Sequence, residues 1–109
     1  MMTPAYEIRF DERLGIDRPL LHVEYEELPE ELRQEFELKC QEVCARIPER
    51  IKCLEQEYLD RYEALKEAED DETFYRLTDE MNDLSKTICD LNILFLYIEG
   101  TFLASSVHA

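Results

Sequence analysis

The sequence predicts a mostly α-helical fold: a long antiparallel helical hairpin, completed as a bundle by dimerisation, with an N-terminal extended arm or short β-hairpin. Three observations predict it: an apolar stripe of period eleven from Phe36 to Leu65, a heptad stripe from Phe74 to Phe102, and an acid-rich break between them. With 45% hydrophobic and 36% charged residues but only two glycines, the chain suits helices with solvated faces and excludes a turn-rich β-sandwich. At 109 residues it fits one domain, able to bury roughly two thirds of the surface it exposes when unfolded.

Residues 1–28 are patterned unlike the rest. Tyr6, Ile8 and Phe10 alternate with Glu7 and Arg9, as in a half-buried strand, and Leu21, Val23 and Tyr25 alternate in the same way. Gly15 and Pro19 lie between and predict a loop. A lone pair of strands is marginal in water, so this arm is expected to lie across the helices or to join a neighbour's arm.

Pro29 suits the first turn of a helix, where its missing N–H costs nothing, and Glu30 and Glu31 then face the positive end of the helix dipole. The stripe that follows, Phe36, Cys40, Val43, Ile47, Ile51, Leu54, Tyr58, Tyr62 and Leu65, repeats every eleven residues. Eleven residues in three turns is close to the natural pitch of the α-helix, so the stripe runs nearly straight along one face. Pro48 removes a hydrogen bond to Cys44 and crowds its carbonyl. The stripe nevertheless keeps its phase from Ile47 to Ile51, which predicts a kinked but continuous helix.

Leu65 and Phe74 are nine residues apart, and at about 100° per residue the apolar face turns through about 180° between them. One straight rod cannot bury both stripes on the same side. A reversal near Asp70 resolves the conflict, with Asp70 or Asp71 as N-cap of the next helix. The second stripe is Phe74, Leu77, Met81, Leu84, Ile88, Leu91, Phe95, Ile98 and Phe102. The helical hairpin is thus assigned to residues 29–104 and a tail to residues 105–109. Past Asp90 the apolar residues spread around the helix: Ile93, Leu94, Leu96 and Tyr97 fall off the stripe. Together with Phe102 they are the candidate interface, because two helices offering about three apolar faces need a further partner. A second copy closing a four-helix bundle is the expected one.

The net charge of −15, from 27 acids against 12 bases, disfavours direct contact with nucleic acid or an anionic membrane. It permits a basic protein as partner, including one whose groove normally holds DNA or RNA. No signal peptide or membrane span is expected, and four cysteines without a spacing signature fit reduced thiols in the cytoplasm. Cys40 and Cys44 share a helical face, but Cys53 points elsewhere and Cys40 belongs to the apolar stripe. No metal site is therefore assigned. Only His22 and His108 are imidazoles and no Glu-x-x-His pair occurs.

Two acidic pairs at a three-residue spacing, Glu27 with Glu30 and Glu57 with Asp60, resemble the magnesium-binding acids of MazG-like nucleotide pyrophosphohydrolases. The resemblance covers those four positions and implies a small all-α, magnesium-dependent hydrolase with the two pairs on two helices of a bundle. Asp60 departs from it by pointing away from the Leu54, Tyr58, Tyr62 face that would line a pocket. The residues themselves predict no catalytic site and no cofactor. They predict a small acidic protein acting through protein–protein contact, in regulation or assembly. The alternatives are an acidic mimic of nucleic acid that inhibits a DNA- or RNA-binding protein, and the hydrolase.

Overall fold

The computed structural model describes residues 3–103. The predicted tail, and His108 within it, lie outside that range. The chain runs β1 (Tyr6–Asp11), β2 (Ile16–Leu21), a 3-10 turn (Tyr25–Glu27), α1 (Glu30–Lys66), α2 (Asp71–Ile98) and a π-helical turn (Glu99–Leu103). The two long helices pack against each other, and the β-hairpin lies mainly against α1.

α1 is one helix of 37 residues with Pro48 inside it. Its buried positions follow the predicted stripe through Phe36, Cys40, Val43, Ile47 and Leu54, with Cys44 added from the flank. Pro29 stands one residue before the helix and holds the extended backbone that leads into it. The acid-rich break reverses the chain: α1 ends at Lys66, and the Asp70 carboxylate accepts the Thr73 N–H at 2.9 Å to cap α2. Those hydrogen bonds favour the charged carboxylate and hold its pKa below the usual range.

The hairpin departs from the expected register. The second strand is Ile16–Leu21, not the segment from Leu21 to Tyr25, and Tyr25–Glu27 coils into the 3-10 turn. The cause is the loop after β1. The Asp11 backbone carbonyl accepts the Gly15 N–H at 2.7 Å, and its side chain accepts the Leu14 N–H at 2.9 Å. Gly15 takes φ +74°, a left-handed conformation costly for any residue with a Cβ. The chain therefore turns back at once, and Ile16 pairs with Asp11. Pro19 is a strand residue opposite Ile8, tolerable because each strand of a two-stranded sheet leaves one edge unpaired. A Cβ on Gly15 would meet Arg50 Nε at 2.5 Å. That same Nε donates to the Leu14 carbonyl at 2.9 Å and ties the loop to α1.

One continuous core joins Leu14 and Ile16 of the hairpin, Leu28, the α1 stripe from Phe36 to Leu54, and Leu91, Leu94, Ile98, Phe102 and Leu103. Phe36 is its hub. Its ring meets Tyr6 at 5.2 Å and Phe102 at 4.9 Å, both edge-on, with Tyr25 at 6.4 Å. Tyr6 donates to Glu35 at 2.6 Å, and Tyr25 donates to Glu37, so the arm is fastened to the first turns of α1 by charge-assisted hydrogen bonds. The core ends at Leu54. Beyond it the two helices continue alone to the reversal, where Leu77 and Met81 are buried and Arg61 reaches Glu80 of α2 at 3.6 Å. The molecule is long and thin, 60 × 36 × 15 Å.

Candidate interaction surface

The five interface candidates divide. Leu94 and Phe102 are buried in the chain's own core, whereas Ile93, Leu96 and Tyr97 are 59, 68 and 57% exposed. The heptad reading placed Phe95 on the core line and Leu94 off it. In the structure the buried line runs Leu77, Met81, Thr87, Leu91, Leu94 and Ile98, with Phe95 half-buried against it. The buried arc swings around α2 from the Leu77, Met81 side to the Leu94 side where Leu14 and Ile16 of the hairpin join the core. The π-helical turn then widens the coil, so that Phe102 and Leu103 both face inward. The signal for Leu94 was present in the Leu91, Leu94, Ile98 spacing. Choosing it over Phe95 required knowing on which side the hairpin lies.

The exposed remainder forms an organised face. Cys89, Ile93, Leu96 and Gly100 follow one another at steps of four, three and four on the side of α2 turned away from the core, and all are exposed. No charged side chain stands on that arc between Cys89 and Gly100. Asp90 is turned aside to Arg13 of the hairpin loop, at 2.8 Å, and Glu99 is half-buried on the other flank. In a chain with 36% charged residues this is a marked depletion, and charge depletion with exposed apolar side chains characterises interface centres.

An open groove of about 630 Å³ runs beside this face, between the hairpin and α2. Leu14, Leu94, Ile98 and Phe102 make its apolar floor and Tyr97 part of its wall. The Tyr97 ring stacks edge-on against Phe102 at 5.7 Å, which holds it at the groove's edge. The charged rim is neutralised internally, Arg13 by Asp90 and Arg18 by Asp11 at 3.5 Å. Sequence reasoning did not find this groove, because its hairpin wall depends on β2 beginning at Ile16.

A second set of exposed apolar residues, Leu59, Tyr62, Phe74 and Tyr75, surrounds the helical reversal. These stand beside charge: Lys66 Nζ lies 4.8 Å over the Tyr62 ring and pairs with Glu63 at 3.4 Å.

The four acids of the pyrophosphohydrolase resemblance do not meet. Glu30 and Glu57 lie on the same helix, 27 residues and hence about 40 Å apart, and Glu27 sits in the 3-10 turn before it. Asp60 accepts from Gln56 at 3.0 Å. Among the described residues no group of three or more His, Cys, Asp or Glu is placed to hold a metal ion. Cys40 and Cys44 are packed in the core, where burial pushes their thiols up to about 12 and about 11; they are protonated, unreactive hydrophobes. Cys53 and Cys89 are exposed, and all four thiols are free. Among the described residues no helix is long and apolar enough to cross a membrane.

Comparison of this chain with protein-family models, with curated proteins and with solved structures finds no match.

Proposed function

We propose that this chain is a small acidic cytoplasmic protein that works by protein–protein contact, in a regulatory or assembly role, without chemistry of its own. The observation that carries the reading is the charge-free apolar face of α2, Cys89 to Gly100, set beside an apolar-floored groove. Monomers rarely leave such a surface uncovered. The molecule's dimensions support it. A compact chain of this size has a radius of gyration of about 13 Å, whereas this one reaches 18.4 Å. Its accessible area is 7921 Å², against about 6,300 Å² for a compact monomer of this mass. Four free thiols suit a reducing compartment.

The test is affinity capture from the source cell with the wild-type chain and with the double variant Ile93→Lys, Leu96→Glu. A partner retained by the first and lost by the second supports the reading. Equal capture by both removes this face from the function.

One observation favours a second reading, that of an acidic decoy for a nucleic-acid-binding protein. Residues 55–80, around the reversal, hold eleven acids against three bases. A decoy acting through that end would bind a basic partner with strong salt dependence and would survive the double variant.

A further inference from the structure

We infer that the outer edge of β1 pairs with β1 of a second copy of this chain, antiparallel, so that the two hairpins join into one sheet ordered β2, β1, β1, β2. This edge is separate from the α2 face, and the inference does not depend on what binds there.

The backbone sets the site. β2 is the strand packed on α1, and β1 is the outer strand of a two-stranded sheet. The His22 N–H donates to the Ala5 carbonyl at 2.8 Å, and the register runs unbroken from there to Asp11 opposite Ile16. Bonded and non-bonded pairs alternate in an antiparallel ladder, so Ala5, Glu7, Arg9 and Asp11 turn their N–H and C=O groups to β2. Tyr6, Ile8 and Phe10 turn theirs to the outer edge, where no other backbone group among the described residues bonds them. Such an edge is a template for a further strand unless proline or a bulge blunts it. Pro19 blunts the outer edge of β2; β1 has neither device.

The side chains select the occupant. Tyr6 to Phe10 reads aromatic, acid, aliphatic, base, aromatic. Laid antiparallel on itself with Ile8 on the two-fold axis, the strand sets Glu7 opposite Arg9 twice and Tyr6 opposite Phe10 twice. Edge-facing residues then meet edge-facing residues, which gives about six main-chain hydrogen bonds, two at each of three pairs. The neighbouring registers that keep the backbone aligned set Glu7 against Glu7 or Arg9 against Arg9, and like charges directly opposite are destabilising. Arg9 already stands opposite Arg18 inside the hairpin. Glu7 of a second copy on its open side offsets that contact and extends the Glu7–Arg9 pair made along the strand.

The net charge of −15 is carried mostly elsewhere. Residues 6–21 hold four acids and three bases, and residues 39–53 of α1 hold two acids and four bases. Residues 24–37 hold seven acids and one base, and they lie at the Tyr6 end of the strand, where Tyr6 bonds Glu35 at 2.6 Å. The Phe10 end lines a cleft whose charges balance, Asp17 and Glu49 with Arg46 and Arg50. A parallel pair would set two acidic ends together. The antiparallel pair brings the acidic end of each copy to the balanced end of the other. The acid-rich reversal from Glu67 begins about 20 Å past Cys53 along α1, beyond the ~8 Å over which exposed charges act at physiological ionic strength.

Sedimentation velocity on the full chain, up to millimolar concentration, tests the partner, with helical circular dichroism as the control for folding. The wild-type chain should dimerise. Arg9→Glu and Glu7→Arg should each weaken the dimer on the order of tenfold or more, because each sets like charges opposite one another at two places. Mixed in equal amounts, the two variants should pair with each other, the acids of one strand facing the bases of the other. Glu7→Arg also separates register from bulk repulsion, since it brings the net charge from −15 to −13 and would tighten a dimer limited by charge alone. The double variant Ile93→Lys, Leu96→Glu should leave this dimer intact, so the reading of the α2 face fails or stands separately. In a Cys53→Ser, Cys89→Ser background, Ile8→Cys should form an intermolecular disulfide under mild oxidation. Phe10→Cys should not, because its copy lies four residues, about 13 Å, away along the strand. The inference is overturned by a wild-type chain that stays monomeric at millimolar concentration, by a dimer that Glu7→Arg leaves unchanged or tightens, or by variants that do not pair when mixed. A dimer lost from the α2 double variant, or a ready disulfide from Phe10→Cys, would overturn it as well.

Discussion

Phe36→Ala is the perturbation that most directly tests how this fold is held. Phe36 is wholly buried, and its ring touches rings from β1, from the 3-10 turn and from the π-helical turn. Truncating a buried phenylalanine costs about 3–5 kcal/mol, from lost transfer free energy and the cavity left behind. Each edge-on aromatic pair adds about 0.5–1.5 kcal/mol, overlapping with that figure because the same atoms are involved. A loss near 4 kcal/mol is a large part of the ~5–15 kcal/mol available to a domain of this kind. With a urea slope of about 1.5 kcal/mol per molar, the midpoint should fall by about 2–3 M, read by far-ultraviolet circular dichroism. Phe36→Leu should cost about 1.5 kcal/mol or somewhat more, since it keeps most of the volume but loses the ring contacts. Phe74→Ala, at a ring 45% exposed and in ring contact with Tyr75, should cost under about 1 kcal/mol. If Phe36→Ala moved the midpoint by less than about 0.5 M, or no further than Phe74→Ala, the hub would not be the hub.

Three further outcomes are expected. Leu54→Asp places a charge at the last core position of α1 and should abolish cooperative thermal unfolding, whereas Glu55→Lys, next to it but exposed, should change stability by less than about 0.5 kcal/mol. Gly15→Ala should cost about 1–3 kcal/mol through its left-handed backbone and the 2.5 Å approach to Arg50. Adding Arg50→Ala should relieve the steric part only, giving a double-mutant cycle that is not additive, while Gly100→Ala should stabilise by about 0.4–1 kcal/mol. The fold should also be sensitive to alkali. Burial and the hydrogen bonds to Glu35 and Glu37 push Tyr6 and Tyr25 up to about 12, and burial raises Cys40 to about 12. Groups raised in the folded state contribute fully below their ordinary values of 10.0 and 9.0 and lose that contribution as pH climbs toward 12. The part of the phenolate absorbance that is lost in a Tyr6→Phe, Tyr25→Phe chain should therefore rise together with loss of helix near pH 12, and a rise of that difference near pH 10 with the fold intact would contradict their packing.

The helical architecture was legible because it is periodic. The eleven-residue stripe of α1 kept phase across Pro48, and the helix is continuous there. The nine residues from Leu65 to Phe74 demanded a reversal, and Asp70 provides its cap. What was not legible depends on contacts distant in sequence. The second strand was placed too late because Pro19 reads as a loop residue, and only the Asp11 to Gly15 closure shows that the chain returns earlier. Cys44 and Thr87 lie outside either stripe and are buried because the hairpin and the C-terminal turn widen the core beyond one helical face. In the candidate interface, composition picked out the apolar stretch, and Ile93, Leu96 and Tyr97 are exposed there. It did not separate them from Leu94 and Phe102, whose inward facing depends on where the hairpin and the π-helical turn lie.

The uneven cover along the two helices has a mechanical consequence. From Phe36 to Leu54, α1 is sheathed by hairpin, 3-10 turn and C-terminal turn; from Tyr58 to Lys66 it has α2 alone, with Leu77 and Met81 as the buried contacts on the opposite strut. Opening that far section exposes little apolar area and costs correspondingly little. Amide hydrogens there should exchange orders of magnitude sooner than those around Ile47. Unfolding is therefore expected to begin at the acid-studded reversal and to reach the sheathed root last.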